Sequence, residues 1–256
     1  MRRSFLLLIL FAPLFSYSQK GNTHNLFWLR LSIADSITDK LGWEVSLQKR
    51  RQNNYSGDPN MFHSFQFESY SLLFQYSLSK NVQISASPVG FFRSHPLNTV
   101  PNDIERPSVK EFRWTVRLDH EMNMRYFNCT NRYTVEYRWR DVQNSGDFNG
   151  NWRVRYMARL DKSVPGILSK PVTFTFYNEV FFQFGHVVSK NYTVFDQDRI
   201  YVGASYEIFR NTTFNLGYQY GFQIRSSGSE YDNINTCCFG LTFDNLISQL
   251  SRSKVL

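Results

Sequence analysis

Cysteine, histidine and proline are scarce in this 256-residue sequence, which has 3, 5 and 8 of them. No Cys-x-x-Cys motif or mixed Cys/His cluster occurs, and this argues against a structural zinc or haem site. The histidines also lack the i, i+4 spacing that a helical metal site needs. The sequence therefore predicts no metal, no cofactor and no cofactor-binding residue.

The three cysteines are Cys129, Cys237 and Cys238. The strand pattern described below places the first near one rim of the protein and the other two near the opposite rim. A disulfide requires Cα atoms within ~7 Å, so we predict no intramolecular disulfide between these positions.

Long hydrophobic runs are missing after the N-terminus. The chain starts "MRRSFLLLILFAPLFSYSQ", with Arg2 and Arg3 before an apolar stretch and small residues before Gln19. This pattern predicts a signal peptide over 1–18, cleaved near Ser18/Gln19; the alternative is a buried N-terminal helix. Cleavage would lower the net charge from +8 to 8 − 2 = +6. An exported chain without a transmembrane helix is soluble, peripheral or an outer-membrane barrel.

Helical periodicity is also missing, and a period of two replaces it. In "NRYTVEYRWRD" (131–141), aromatic and aliphatic residues alternate with charged or polar ones, as in a strand with one apolar and one charged face. Similar segments recur along the chain, giving eleven readable strands. They lie near 27–33, 41–50, 64–78, 82–93, 111–119, 131–141, 151–160, 171–186, 198–208, 214–225 and 235–243.

Connection lengths indicate how these strands are arranged. Short connections alternate with longer polar ones such as "HPLNTVPNDIERP", the pattern of an outer-membrane meander. We predict an all-β fold, a transmembrane antiparallel up-and-down β-barrel of residues 19–243, followed by a periplasmic tail over 244–256. Bacterial barrels have even strand numbers, so the expected number is nominally 12, within a range of 10–12. Pro88 is expected near a strand end or bulge.

The charged phase predicts a network that faces the lumen. Its members are Arg30, Glu44, Glu111, Arg113, Arg117, Arg132, Glu136, Arg138, Arg140, Arg153, Arg155, Arg159, Glu179, Arg199 and Arg225. Arg50, Glu68 and Asp119 are assigned to the same phase. Such a network either plugs a narrow lumen with ion pairs or lines a path for anions.

The apolar phase predicts a lipid-facing surface with an aromatic girdle near the strand ends. The girdle residues are Trp43, Trp114, Tyr133, Trp139, Trp152 and Tyr206. In a soluble lipid-binding barrel the two faces would be exchanged, and periodicity alone does not distinguish these cases.

Four segments resemble an outer-membrane family called domain of unknown function 2490. They are "NRYTVEYRWR", "WRVRYMARL", "VTFTFYNEVFFQF" and "DQDRIYVGASYEI", and the resemblance extends over nearly the whole mature chain. The matching positions are Arg132, Tyr133, Glu136, Arg138, Tyr177, Glu179, Arg199 and Gly203. The resemblance implies a small outer-membrane barrel and brings no activity, cofactor or catalytic residue.

The sequence gives little support for a catalytic site. His63 and Ser64 are adjacent, but neighbours in a strand point to opposite faces and form no dyad. We expect a non-enzymatic, porin-like barrel in the outer membrane of a Gram-negative bacterium, with a structural, partner-binding or narrow transport role. The alternatives are a barrel enzyme acting on lipid or peptide at the outer face, and a soluble periplasmic lipid-binding barrel.

The expected partners follow from this location. They are outer-membrane lipid and lipopolysaccharide, which "KRR" at 49–51 could meet at the outer rim, the barrel-assembly machinery during insertion, and an unidentified protein. The basic residues are spread over alternate strand positions instead of forming a patch, so nucleic acid is not an expected partner.

Overall fold

The computed structural model describes residues 20–166 and 168–248. The predicted signal peptide lies outside these residues, as does the last part of the predicted tail. Eleven strands follow one another along the chain. They are β1 (Lys20–Ser36), β2 (Leu41–Gln52), β3 (Ser64–Ser77), β4 (Val82–Ser94), β5 (Val109–Asn123), β6 (Asn128–Asp141), β7 (Asn149–Val164), β8 (Val172–Phe184), β9 (Phe195–Phe209), β10 (Thr212–Ile224) and β11 (Glu230–Asp244).

The strands form one closed barrel in which each strand pairs with its neighbours in sequence. These pairs are antiparallel, whereas β1 and β11 close the barrel in parallel, with Lys20 opposite Glu230 and Ala34 opposite Asp244. In a meander, the first and last of an odd number of strands run the same way, so parallel closure follows from the count of eleven. The predicted barrel is confirmed, and its strand number falls within the expected range, one below the nominal 12.

The two ends of the barrel differ in their connections. One end carries 37–40, 78–81, 124–127, 165–171 and 210–211, and we call it the short-loop end. The other carries 53–63, 95–108, 142–148, 185–194 and 225–229, and we call it the long-loop end. Short 3-10 helices lie in two of the long connections, at Pro101–Glu105 and His186–Val188.

The barrel is apolar outside and charged inside. Tyr133 and Leu216 are 49% and 47% exposed, whereas Glu136 and Arg138 are 2% and 8% exposed. Buried polar side chains far outnumber buried apolar ones among the described residues. This is the reverse of a soluble lipid-binding barrel and the distribution of a transmembrane one. No described helix is both long and apolar enough to cross a membrane.

Register shifts bend the wall at β3 and β4. The β4–β5 register shifts between Ser87 and Gly90, which places Pro88 at a bulge, as its missing amide hydrogen favours. A second shift, between Arg50 and Arg51, reverses the phase of β3. Arg50 faces Phe67 inside the barrel, so the next residue, Glu68, faces outward. The assignment of Glu68 to the lumen was therefore wrong, because a bulge moves every following side chain to the other face.

Candidate functional site

A network of ion pairs fills the part of the lumen nearer the long-loop end. Glu111 on β5 accepts hydrogen bonds from Arg113 Nε and from Arg138 Nη2, both at 2.7 Å. Glu136 on β6 is 2.5 Å from Arg153 Nε and 3.2 Å from Arg155 Nη1. Alternation brings these side chains together, because inward positions on adjacent strands lie at the same level. We call this group, together with Arg50, Arg140, Glu179 and Arg199, the arginine layer.

Two members of the arginine layer form no ion pair with a described carboxylate. The Arg50 guanidinium lies 4.2 Å from the ring centre of Trp28 and 4.8 Å from that of Phe67, and its buried Nε has no hydrogen-bond partner. Arg199 donates to the side-chain oxygen of Gln197 and lies 4.4 Å from the ring centre of Phe181. Aromatic faces and an amide stabilise these cations without neutralising them.

A cavity of about 450 Å³ opens beneath the arginine layer. It extends from Trp28 and Cys238 at mid-height to Ala34 and Asp244 at the short-loop end. We call it the vestibule. Three sets of ion pairs line or border it, and in each set one or two arginines pair with a nearby carboxylate. They are Arg30 with Glu44 at 2.7 Å, Arg117 and Arg132 with Asp119 at 3.0 and 2.5 Å, and Arg159 with Asp161 at 2.7 Å.

Glycines provide space in the vestibule wall. The rings of Tyr177 and Tyr201 stack with centroids 4.7 Å apart and an interplanar angle of 12°. Tyr201 lies over Gly217 and Gly203, where an added Cβ would come within 2.3 and 2.2 Å of its hydroxyl oxygen. A side chain at either glycine would force the ring into the cavity.

Two long connections fold over the long-loop end of the lumen. Thr99 in 95–108 accepts a hydrogen bond from Arg225 Nη2 at 2.6 Å, which joins this loop to the end of β10. Arg225 is held by Asp232 at 2.8 Å and Glu230 at 3.1 Å. The Ser56 amide donates to the Thr99 carbonyl at 3.0 Å, so 53–63 belongs to the same cover.

Asp103 stabilises this cover from within. Its carboxylate accepts hydrogen bonds from the amides of Thr99 at 2.7 Å and Val100 at 3.1 Å, and pairs with Arg106 at 2.8 Å. Burial raises the pKa of Asp103, but these amides and the guanidinium groups of Arg106 and Arg225 outweigh burial and leave it below its ordinary value.

The structure places the predicted lumen residues at three levels. The arginine layer contains Glu111, Arg113, Glu136, Arg138, Arg140, Arg153, Arg155, Glu179 and Arg199. The vestibule contains or borders Arg30, Glu44, Arg117, Arg132 and Arg159, and Arg225 lies at the long-loop end. Sequence reasoning did not assign Asp161, Asp232 or Phe181 to the lumen. Strand phase would have included Phe181, which lies within the predicted strand 171–186 in the phase of Glu179, and Asp161 once the predicted strand 151–160 was extended by one residue.

The predicted girdle residues share the outward phase of their strands. Trp139 and Trp152 lie near the long-loop end, and Trp43 and Tyr206 near the short-loop end. Trp114 and Tyr133 lie further into the wall, each the sixth residue from the nearer end of its strand. The predicted girdle residues therefore form two belts with two residues between them.

The chemistry of the remaining groups is sparse. Cys129, Cys237 and Cys238 are free thiols, and the two adjacent ones lie mid-strand, opposite Phe27 and Trp28, because β11 begins earlier than the sequence suggested. Residues 20–166 and 168–248 contain no cluster of three or more His, Cys, Asp or Glu side chains arranged to hold a metal ion.

The geometry defines a small transmembrane barrel with an arginine-rich lumen. A family model described as "Protein of unknown function (DUF2490)" matches residues 25–232, and the chain belongs to this family. A comparison with curated proteins finds no match.

Three solved structures with some similarity to this chain are remote. The NanC porin is 13% identical over 83% of this chain and 93% of its own, with a TM-score of 0.47. The ferric enterobactin receptor PfeA of Pseudomonas aeruginosa is 12% identical, with a TM-score of 0.29, over 73% of this chain. The siderophore receptor PirA of the same organism is 9% identical, with a TM-score of 0.31, over 74% of this chain. This chain spans only 35% and 34% of the two receptors.

Proposed function

We propose that this protein is a non-enzymatic, integral outer-membrane barrel that gives small anions a narrow path through its lumen. The observation that carries the proposal is the surplus of cations in the arginine layer, where Arg50 and Arg199 have no carboxylate partner. The apolar exterior and the predicted signal peptide support the location, with the long-loop end outside the cell.

The charges of the arginine layer do not balance. Three glutamates, Glu111, Glu136 and Glu179, face seven arginines, so the surplus is 7 − 3 = 4 positive charges. The next carboxylate, Asp196, is held by Gln183 at 3.0 Å and reduces the surplus only to three. The arginines are Arg50, Arg113, Arg138, Arg140, Arg153, Arg155 and Arg199.

An unpaired charge away from bulk water costs several kcal/mol, and a mobile anion offsets that cost while it is bound. Because the attraction is shared by several guanidinium groups, an anion can move between them instead of staying at one. The vestibule supplies a polar route to the short-loop end, whereas a cation entering it would be repelled by the layer above.

The dimensions favour small solutes. Barrels of about eight strands are filled by their own side chains, and clear aqueous channels need about sixteen. Eleven strands lie between these limits, and the side chains of the arginine layer occupy the lumen nearer the long-loop end. A vestibule of about 450 Å³ admits a small organic or inorganic anion with its water.

A second candidate function is a sealed barrel with a structural role. The observation in its favour is the cover over the long-loop end, where Thr99 and Arg225 join opposite sides of the barrel.

Planar-bilayer recording distinguishes the anion path from the sealed barrel. With a potassium chloride gradient, an anion path gives small conductance steps and a reversal potential displaced toward that of chloride. Conductance that prefers potassium contradicts the proposal. Silence contradicts it too, provided that heat-modifiable gel migration shows the inserted protein to be folded, and supports the sealed barrel.

A further inference from the structure

The outside of the barrel carries a group of cations at one part of its long-loop end. Lys49 and Arg51 on β2, Arg93 on β4 and Lys110 on β5 are all exposed and lie close to the ends of their strands. Register brings them together, because Arg93 is directly opposite Lys110 and the strands are consecutive. Arg106, also exposed, adds a further cation from 95–108. We call these five residues the rim patch.

The rim patch lies on β2–β5 and the loop beside them. Elsewhere at this end, the exposed cations among the described residues are Lys20 on β1 and Lys190 in 185–194. At the same end of β6, β7 and β8, the outward positions hold Trp139, Trp152, Phe182 and Phe184 instead. A rim that was merely solvated would distribute its charges around the circumference. Concentration on one side indicates a site for one kind of partner.

A cleft of about 520 Å³ lies within the patch. Three arginines and two histidines line it, and no carboxylate is among the lining residues, which are Arg51, His63, Ser64, Phe65, Arg93, His95, Ile104, Arg106, Pro107 and Ser108. Arg93 forms a long ion pair with Glu68, 3.7 Å, and Arg106 pairs with Asp103 at 2.8 Å, but more than half of each arginine side chain remains exposed. Arg51 forms no ion pair with a described carboxylate. The cleft thus has an excess of positive charge.

One arginine of the cleft is held in place. Arg51 donates from Nε and Nη2 to the carbonyl of Phe62, at 3.2 and 3.0 Å, and from Nη2 to the carbonyl of His63 at 3.0 Å. Neutral carbonyls fix the guanidinium without cancelling its charge. A fixed planar cation loses little entropy when it binds an oxyanion such as phosphate.

Apolar side chains continue directly below the patch on the lipid-facing surface. Phe91 and Phe112 are exposed and contact each other, with ring centroids 5.3 Å apart, and Tyr70 is exposed on β3. A ligand seated here would have its anionic group against arginine and its remainder against aromatic rings. That combination fits a lipid better than a free phosphate ion.

We propose that the rim patch binds the phosphorylated headgroup of a lipid in the outer leaflet, with lipid A as the occupant. The proposal rests on the membrane location and orientation proposed above, and it is independent of whether the lumen conducts. Phosphate oxygens accept hydrogen bonds from Arg51, Arg93 and Arg106, Lys49 and Lys110 contribute charge, and acyl chains lie along Phe91 and Phe112.

The test measures lipid retained by the purified full-length barrel, using native mass spectrometry after exchange into mild detergent. The probes are lipid A, lipid A stripped of its phosphates, and inorganic phosphate alone. The variant is Arg93→Gln/Lys110→Gln. The matched control is Lys162→Gln/Arg210→Gln, which removes two exposed cations at the short-loop end. Heat-modifiable migration shows that every variant is folded.

Each cation near a membrane surface contributes roughly fivefold to the binding of an anionic lipid, so we expect the variant to retain lipid A about 25-fold less strongly. The control should retain lipid A as strongly as the unaltered protein does. Neither of these two proteins should retain the lipid that lacks phosphates. If the variant and the control lose lipid A to the same extent, the proposed site is wrong. Equal binding of lipid A and the phosphate-free lipid overturns it as well. Tight binding of inorganic phosphate alone overturns the lipid as occupant. A barrel that proves silent in bilayers yet loses lipid A in this variant refutes the anion path and leaves the rim site standing.

Discussion

Arg138 forms a two-point ion pair with Glu111, from Nε to Oε1 at 2.9 Å and from Nη2 to Oε2 at 2.7 Å. The two residues lie on adjacent strands, and both side chains are buried. Glu111 also accepts from Arg113 and lies 3.7 Å from Arg140 Nε. One carboxylate thus stabilises several guanidinium groups inside the barrel.

Removing that carboxylate charge should destabilise the barrel strongly. Removing one charged partner of a buried ion pair costs about 3–5 kcal/mol, because the remaining cations stay buried without a compensating charge. We expect Glu111→Gln to lower the free energy of unfolding by this amount, as measured by urea titration in lipid vesicles. Glu68→Gln, whose partner is exposed, is the control and should cost less than about 1 kcal/mol. Equal effects would show that the network is not important for stability.

Arg50 and Arg199 should behave in the opposite way. Because neither has a carboxylate partner, Arg50→Gln/Arg199→Gln removes surplus charge, and we expect no loss of stability. The same variant should reduce the preference for chloride over potassium by about tenfold, which corresponds to about 1.4 kcal/mol. The measurement is the reversal potential in planar bilayers. Arg210→Gln, at an exposed turn, is the control; an unchanged preference in the double variant would contradict the proposed path.

Gly217 should tolerate no larger residue while Tyr201 is present. An added Cβ would meet the Tyr201 hydroxyl at 2.3 Å. We expect Gly217→Ala to cost about 1–3 kcal/mol in the same urea titration, the usual range for overpacking. Adding Tyr201→Ser should restore most of the lost stability. If the second substitution gives no recovery, the glycine is required for another reason.

Parallel closure places the start of β1 and the end of β11 on opposite sides of the membrane. Lys20 begins β1 beside Glu230, at the long-loop end, whereas β11 ends at the short-loop end. An epitope inserted after Lys20 should therefore be exposed on the same side of the membrane as one inserted after Ser227. An epitope inserted after Asp39 should be on the other side. Antibody labelling of intact and permeabilised cells measures this, and detection of the Lys20 epitope together with the Asp39 epitope would refute the eleven-strand closure.

Acid should loosen the cover over the long-loop end. The folded-state pKa of Asp103 lies below its ordinary value, so its stabilising effect is present above about pH 4 and is lost as pH falls through the folded pKa. We expect faster hydrogen exchange of the Thr99 and Val100 amides below about pH 4. Asp103→Asn should give the same faster exchange at neutral pH. Exchange that is independent of pH in the unaltered protein, after correction for the intrinsic rate, would contradict this role.

Strand phase was the strongest signal in the sequence. In "NRYTVEYRWRD", alternation alone assigned Arg132, Glu136 and Arg138 to one face, and long strands of this kind have few other ways to bury one face. Phase failed at Glu68, although alternation over 64–78 changes phase near Glu68–Tyr70 and so predicts a bulge there. The register shift lies slightly earlier, between Phe65 and Phe67 opposite Arg51 and Arg50, and it turns Glu68 to the outer face. The strand pattern itself gave eleven strands, and the rule that bacterial barrels have even strand numbers raised the expected number to 12. The parallel pairing of β1 with β11 was beyond the sequence, because it is a contact between the first and last strands.

The sequence by itself determined that the chain is a half-apolar, half-charged set of strands, because alternation is a local property of each segment. Only the tertiary structure decided which charges meet. Closure of the barrel brings seven arginines to one level with three glutamates, and it leaves Arg50 and Arg199 against aromatic rings. That imbalance depends on the register between strands distant in sequence, and the register is set by the closed barrel as a whole.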